Sequence, residues 1–143
     1  MVVKQISIFL ENKCGRMIRV SEVLGEAGIN VRALSIADTS DFGILRLIVD
    51  RPDEACSVLR EKGFMASVTE VIALEVPDTP GGLARALTPL QEAGINIEYL
   101  YAFVQKRTAD ALILVRVENI EAALQVLREN NISVISSERL YSL

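Results

Sequence analysis

The sequence contains no histidine and only two cysteines, Cys14 and Cys56. Imidazole and thiolate are the usual ligands of zinc and most transition metals, so without histidine or a Cys-x-x-Cys pair we expect no metal site. The commonest general base is missing as well. The two cysteines fall at unrelated places in the chain and form no disulfide framework, which fits a reducing compartment.

Clustered positive charge and long apolar runs are also lacking. The formal net charge is −4 and the 15 lysines and arginines are scattered, whereas a nucleic-acid surface needs them gathered on one face. The longest apolar runs, such as Ala111–Val115, are far shorter than the roughly 20 residues that span a bilayer. The first residues do not follow the pattern of a signal peptide. We therefore expect a cytoplasmic protein that binds neither nucleic acid nor membrane, and no cofactor is indicated.

One pentapeptide occurs twice. Glu-Ala-Gly-Ile-Asn at Glu26–Asn30 returns at Glu92–Asn96, 66 positions later. Further along, the offset becomes 68, because Val58–Glu61 aligns with Val126–Glu129 and the second copy carries two extra residues. A repeat of this kind decides the fold assignment. It divides the chain into two domains, 1–69 and 70–143, and units of this size bury too little surface to be very stable alone.

Each half follows the order β-α-β-β-α-β. In the first half, alternation predicts a strand over Val2–Leu10, and helical spacing predicts a helix over Gly15–Ala27. The remaining predicted elements of that half are strands at 30–37 and 43–50, a helix from Pro52 to Gly63 and a strand over 65–70. This order predicts an α+β fold of two tandem ferredoxin-like domains, each an antiparallel sheet with its helices on one face.

The second half repeats the order with small changes. We predict strands at 71–76, 96–105, 109–117 and 132–136 and helices over 80–93 and from Ile120 onward. Asn131 takes the capping place of Gly63. The inward face of the first of these helices is predicted to carry Leu83, Ala86, Leu87 and Leu90.

The third strand of each half is apolar on both faces, although helices cover only one. The other face is therefore expected to be covered by a second sheet or a second subunit, and the alternating Tyr99, Tyr101 and Phe103 suit that role. The alternative is that this face is an apolar surface in contact with water.

The loops after the first strand of each half carry a recognisable motif. Asn12-Lys13-Cys14-Gly15-Arg16-Met17 is followed by Gly28-Ile29-Asn30-Val31, and Asp78-Thr79-Pro80-Gly81-Gly82-Leu83 by Gly94-Ile95-Asn96-Ile97. The pattern resembles the ACT domain, in which a strand ends in Asn or Asp, x-Pro-Gly-x-Leu opens a helix and Gly-Ile-Asn-Ile begins the second strand. The resemblance covers both halves. It implies a non-enzymatic, allosteric regulatory protein that pairs, for example as a homodimer, and binds an amino acid at a domain interface.

The strand-to-helix loops are also plausible ligand sites on physical grounds. The first amides of a helix lack internal partners and can hold a carboxylate, glycine permits close approach, and an Asn or Asp oxygen can accept from an ammonium group. The resemblance adds the asparagine that opens the second strand. The candidate ligand-binding residues are Asn12, Cys14, Gly15, Arg16, Asn30, Asp78, Pro80, Gly81, Gly82 and Asn96.

Two alternatives remain open. The same residues could brace turns, cap helices or permit close packing without binding anything, and the two domains could serve only assembly and protein interaction. The copies also differ, since Cys14 and Arg16 flank the first glycine whereas Pro80 and Gly82 flank the second. We therefore expect one good site and one degenerate site, and any regulatory output to pass through a protein partner.

Overall fold

The structure, a computed structural model, describes residues 2–38, 41–103 and 110–142. Its elements in chain order are β1 (Val3–Glu11), α1 (Arg16–Glu26), β2 (Val31–Asp38), β3 (Phe42–Val49), α2 (Pro52–Glu61), β4 (Met65–Pro77), α3 (Gly82–Glu92), β5 (Ile97–Phe103), β6 (Asp110–Val117), α4 (Ile120–Glu129), β7 (Ser133–Ile135) and α5 (Ser137–Tyr141). The predicted α+β class and the duplicated β-α-β-β-α-β order are confirmed.

The chain forms two compact units. The N-terminal unit includes Lys4–Thr69 with Tyr141 and Ser142, and the C-terminal unit includes Glu70–Leu140 with Val2 and Val3. The fourth and fifth predicted strands are a single strand, β4, which contributes residues to both units. The Tyr141 hydroxyl accepts a hydrogen bond from the Lys4 backbone amide at 2.8 Å, which attaches the end of the chain to the N-terminal unit.

In the N-terminal unit the sheet is antiparallel, with β3 between β2 and β1. Alternation in β1 places Ile6 and Ile8 opposite Leu47 and Leu45 of β3 on the face that the helices cover. These residues share a core with apolar side chains from α1 and α2, among them Val20, Val23, Leu24, Ala55 and Leu59.

The C-terminal unit repeats this arrangement. Strand β6 pairs with both β4 and β5, and β7 pairs with the other edge of β4. The core again joins one sheet face to two helices, and its buried members are Ile72, Leu74, Val76, Ala86, Leu90, Ile113, Val115, Val117, Ala123 and Leu127.

The second sheet face differs between the units. In the C-terminal unit Tyr101 and Phe103 pair with Leu114 and Leu112 on that face, and all four side chains are buried. In the N-terminal unit Gln5 and Ile48 on the corresponding face are buried, whereas the other end of that face is exposed to solvent. Phe9 and Phe42 are 46% and 42% exposed there, and their rings stack with centroids 4.9 Å apart.

Three details differ from the sequence prediction. Leu83 was expected to face inward and is 40% exposed, because the buried stripe of α3 runs from Gly82 through Ala86 to Leu90. Gly82 takes the inward position because it lies against the Pro77 carbonyl, which leaves no room for a side chain. The short helix α5 was not predicted.

Parts of the two hairpin turns lie outside the residues that the structure describes. Thr39 and Ser40 of the first turn and the predicted strand residues 104–105 and 109 lie outside the described residues. The predicted cap at Asn131 is confirmed by its positive φ of 57°. None of the helices in the described ranges has the length and apolar character needed to cross a membrane.

Candidate functional site

The loop between β1 and α1 presents an open helix N-terminus. Gly15 occupies the N-cap position with φ of 87°, a conformation that residues other than glycine rarely adopt, and none of the described side chains caps the helix. Within the described part of the chain, the amides of Met17 and Ile18 have no acceptor. A β-carbon at Gly15 would meet no atom within 4 Å. An anion can therefore reach these amides, which lie at the positive end of the helix dipole.

A small cavity of about 210 Å³ opens beside this helix end. Its polar lining comes from Asn12, Lys13, Arg16 and the backbone at Gly15, and Met17, Ile18, Ile36, Leu10 and Gly43 supply apolar surface. The volume is below the roughly 300–1,000 Å³ typical of pockets for drug-sized ligands. It suits a molecule the size of a small amino acid, with a charged end at the loop and an apolar end toward Ile36.

The charges at this cavity are arranged around Glu11. The Glu11 carboxylate lies 2.8 Å from the Lys13 ammonium and 3.8 Å from the Arg16 guanidinium. The hydrogen bond from Lys13, followed by its charge, holds the pKa of Glu11 below its ordinary value, so the carboxylate stays ionised at neutral pH. Two cations and one anion leave a surplus positive charge at the mouth of the cavity. Asn12 is fixed in place by its backbone amide, which donates to the Asp41 carbonyl at 2.8 Å.

The loop between β4 and α3 has a similar backbone conformation to the first loop, but a side chain covers it. Gly81 is the N-cap of α3 with φ of 83°, and within the described residues the amides of Leu83 and Ala84 lack acceptors. Here, however, the side chain of Arg85 lies over the loop. A β-carbon at Gly81 would lie 2.9 Å from Arg85 Nη1.

The sequence explains why Arg85 lies over this loop. Arg85 Nη2 donates to the Thr79 hydroxyl at 3.4 Å. Arg19, at the equivalent place in α1, instead lies 3.5 Å from the Glu22 carboxylate. In α3 the residue equivalent to Glu22 is Thr88, whose hydroxyl donates to the Ala84 carbonyl and offers no charge. The N-terminal loop is consequently open and the C-terminal loop is covered.

The other candidate residues, except Cys14, lie apart from this cavity. Asn30 follows the far end of α1, about 16 Å of helix from Gly15, where its backbone exchanges hydrogen bonds with Asp50 at 3.1 and 3.2 Å. Asn96 holds the equivalent place beyond α3 and lines an open cleft there. Asp78 and Pro80 of the second loop are exposed, and Gly82 is buried. Cys14 is exposed beside the cavity, between the lining residues Lys13 and Gly15.

The structure therefore brings Asn12, Gly15 and Arg16 to one cavity within a unit and leaves both strand-opening asparagines at the opposite helix end. Sequence reasoning missed Ile36 and Gly43, which reach the cavity from the β2–β3 hairpin. The strand pairing of the hairpin would have indicated both residues. Ala37 pairs with Ile44, and Ile36 and Gly43 are their neighbours in the chain. Sequence reasoning also missed Arg85, because the direction of its side chain depends on which hydrogen-bond or ion-pair partner lies within its reach.

A comparison with protein-family models identifies the family of this chain. The protein-family model described as an ACT domain pair matches residues 1–143. A solved protein from Bacteroides thetaiotaomicron is 42% identical, with a TM-score of 0.94, and the match covers 100% of this chain and 98% of that one. No curated protein matches the sequence.

Two more distant structures share the fold. The regulatory subunit of aspartate kinase from Thermus thermophilus, in a ligand-free form, is 21% identical with a TM-score of 0.62 over 89% of this chain and 91% of that one. The corresponding subunit from Thermus flavus is 19% identical with a TM-score of 0.60 over 90% and 92%.

Proposed function

Because the chain belongs to the ACT domain pair family, we propose that it is a non-catalytic regulatory protein that binds a free amino acid. The observation that carries this proposal is the open N-terminal loop, where unpartnered helix amides, the Arg16 cation, the oxygens of Asn12 and Glu11 and an apolar wall meet at one small cavity. A free α-amino acid presents a matching carboxylate, ammonium group and side chain.

Each ligand group has a partner of suitable chemistry. The carboxylate binds the amides of Met17 and Ile18, with Arg16 adding a charge-assisted contact. The ammonium group lies toward the oxygens of Asn12 and Glu11. The ligand side chain packs against Ile36, so small apolar or polar side chains fit and large aromatic ones do not.

The two loops have different roles in this proposal. The N-terminal loop is the primary site because nothing covers Gly15 in the described structure. The C-terminal loop binds weakly, since Arg85 must first leave Thr79. Asn30 and Asn96 then contribute only to a ligand held against a neighbouring domain of a second copy, as the family resemblance implies.

In this proposal, ligand binding changes either the assembly of the protein or its effect on a protein partner. A ligand shifts a conformational equilibrium only if it binds one arrangement better than another, and a site near a domain edge meets that condition when the protein pairs as a homodimer. Two distant structural neighbours are regulatory subunits of aspartate kinase, which supports a regulated enzyme as the partner class. Free thiols at Cys14 and Cys56 are consistent with a cytoplasmic setting.

A second reading is favoured by a specific observation. The exposed Phe9–Phe42 stack on the N-terminal sheet is apolar surface that an interaction module would use. In that reading the domains serve assembly without a small ligand.

Thermal unfolding in the presence of each of the twenty amino acids tests the proposal. A ligand at about 100 times its dissociation constant stabilises the folded state by roughly 2.7 kcal/mol, which raises the unfolding midpoint by several degrees. We expect a response from one or a few related amino acids that Arg16→Ala abolishes and Asp78→Ala leaves intact. If no amino acid changes stability or association at saturating concentration, the regulatory proposal is wrong and the assembly reading replaces it.

A further inference from the structure

In the N-terminal unit, the guanidinium of Arg51 fills the groove at the far end of α1. Its Nη2 donates to the carbonyl oxygens of Ala27 and Gly28 at 3.2 and 2.6 Å, and its Nη1 donates to Glu54 at 2.8 Å. The last carbonyls of a helix lie at the negative end of its dipole and lack internal partners. Arg51 thus satisfies two acceptors that would otherwise face water.

The second copy keeps the acceptors and loses the arginine. The offset of 68 places Asn119 at the position of Arg51. Asn119 is turned toward its own helix, where its side-chain oxygen accepts from the Ala122 amide at 3.1 Å and caps α4. Across the described ranges, no donor reaches the carbonyl oxygens of Ala93 and Gly94.

The backbone in the two copies has the same conformation at this point. Ala27 and Ala93 have φ/ψ of −80°/−1° and −83°/1°, and Gly28 and Gly94 have φ of 71° and 72°, so the backbone that leads to these carbonyls is alike in both units. A β-carbon built on Gly28 would lie 3.4 Å from Arg51 Nη2, whereas one built on Gly94 meets nothing within 4 Å. The place that a guanidinium occupies in one unit is open space in the other.

That space belongs to an open cleft of about 900 Å³ in the C-terminal unit. The cleft is lined by the segment 93–96, by 118–122, and by Glu70 and Arg116. Among the described residues of its lining, the carboxylates are Glu70, Glu118 and Glu121 and the one cation is Arg116. Arg116 is itself engaged, since it donates to the Glu70 carbonyl at 2.8 Å and lies 3.6 Å from Glu98. The surplus of negative charge and the helix dipole both favour a cation.

We propose that this cleft is a binding site for the guanidinium group of a small molecule, which donates to the carbonyl oxygens of Ala93 and Gly94 as Arg51 does to those of Ala27 and Gly28. In the first copy one nitrogen, Nη2, contacts both carbonyls while Nη1 reaches Glu54, and Ala122 takes the place of Glu54 in the second copy. A guanidinium in the cleft can place one nitrogen at the two carbonyls and turn another toward the carboxylates of the cleft, whereas an ammonium presents a single nitrogen. The site lies at the opposite end of the helix from the amino-acid loops and does not depend on them.

Titration of the full-length protein with ethylguanidinium, followed by amide chemical shifts, tests this proposal. Ethylguanidinium lacks a carboxylate, so it cannot use the amino-acid loops. We expect saturable binding with a dissociation constant on the order of 1 mM, and the largest shifts at Ala93, Gly94 and Asn119. Ethylammonium is expected to bind about tenfold more weakly.

Two substitutions at one position separate site occupancy from stability. Asn119→Arg supplies the guanidinium from within the chain, as in the N-terminal unit, and is expected to weaken ethylguanidinium binding by about tenfold or more. Asn119→Ser retains a capping hydroxyl and leaves the cleft open, so its affinity is expected to stay within about twofold of the original. Arg51→Asn provides the reverse control, because it vacates the first groove and is expected to add a second binding event at Ala27 and Gly28.

Several results would overturn the proposal. It is wrong if ethylguanidinium does not bind below about 10 mM, if Asn119→Arg binds it as well as the original protein, or if the shifts cluster away from 93–96. L-arginine and N-acetyl-L-arginine amide then identify the source of the group: preference for L-arginine supports a free small molecule, whereas equal or tighter binding of the amide indicates an arginine side chain of a polypeptide and overturns the proposal of a small molecule. Loss of the amino-acid response in Arg16→Ala leaves this test unaffected, so the two proposals fail independently.

Discussion

Arg51 Nη2 lies 2.6 Å from the carbonyl oxygen of Gly28, a contact that joins the residue before α2 to the turn after α1. The side chain of Arg51 is 46% exposed, so its charge is partly screened by water. Even so, it satisfies two carbonyls and an ionic partner at once.

Replacing this arginine should destabilise the N-terminal unit. We expect Arg51→Ala to lower the free energy of unfolding by about 1 kcal/mol, because the Ala27 and Gly28 carbonyls lose their charged donor. Urea unfolding measures the change. Asn119→Ala is the matched comparison in the other copy and should cost a similar amount for a different reason, the loss of a helix cap. A neutral Arg51→Ala would mean that water replaces the guanidinium without cost.

Removing the side chain of Arg85 should open the second loop. Because Arg85 lies over Gly81, Arg85→Ala exposes the amides of Leu83 and Ala84. Isothermal titration with the amino acid found by thermal screening is then expected to show two binding events per chain in place of one. Arg19→Ala is the control, since Arg19 already points toward Glu22 and leaves Gly15 open. Unchanged stoichiometry in Arg85→Ala would show that the covering side chain is not what limits binding at this loop.

The two glycines Gly82 and Gly25 should respond to alanine in opposite directions. A β-carbon at Gly82 overlaps the carbonyl of Pro77, so Gly82→Ala is expected to destabilise by about 2–3 kcal/mol as the strand end and α3 move apart. Gly25 lies inside α1 with nothing within 4 Å of its β-carbon position, so Gly25→Ala should stabilise by up to about 1 kcal/mol. Midpoints of urea unfolding compare the two. A tolerated Gly82→Ala would contradict the close approach of strand and helix.

Tyr141 should make stability depend on pH in the alkaline range. Burial raises the pKa of Tyr141 above 10.0, and the hydrogen bond with the Lys4 backbone opposes this only in part. The folded state therefore retains the phenol proton at a pH where the unfolded chain has lost it. The stabilising contribution is complete below pH 10 and disappears as the pH rises through the folded pKa.

Comparison with Tyr141→Phe isolates this effect from the titration of lysines. We expect the difference in unfolding free energy between the two proteins to be constant up to about pH 9 and to change above about pH 10. Spectrophotometric titration of the phenol gives the folded pKa directly. Parallel stability curves over the whole range would mean that folding does not shift the pKa of Tyr141.

Much of the fold could be predicted from the sequence because the repeat constrains both halves at once. The alternation in β1, the helical spacing after Gly15 and the cap at Asn131 depend on local conformational preferences, and all three are confirmed. Leu83 was misplaced because two helical stripes pass through Ala86, and only contact with the Pro77 carbonyl selects the one that starts at Gly82. Helix α5 was not predicted because its five residues are too few to show a helical repeat of apolar side chains.

The candidate site was predictable only in part. Gly15 and Gly81 were identified from their motif, and both have the positive φ that such a motif favours. Which loop is open was not predicted, because it depends on the direction of two arginine side chains: Glu22 holds Arg19 on its own helix, whereas Thr88 at the equivalent place offers Arg85 no charge. The vacant groove at Gly94 was equally hidden, because it follows from a contact that exists in one copy only.

The different environments of the two thiols have a practical consequence. Cys14 is exposed beside the candidate amino-acid cavity, whereas Cys56 is 3% exposed within the core of the N-terminal unit. A maleimide dye added to the native protein should therefore attach at Cys14 alone. The fluorophore would report on the loop from outside the cavity lining, so the unaltered chain already contains an attachment point for an optical sensor of the amino acid that we propose to bind there.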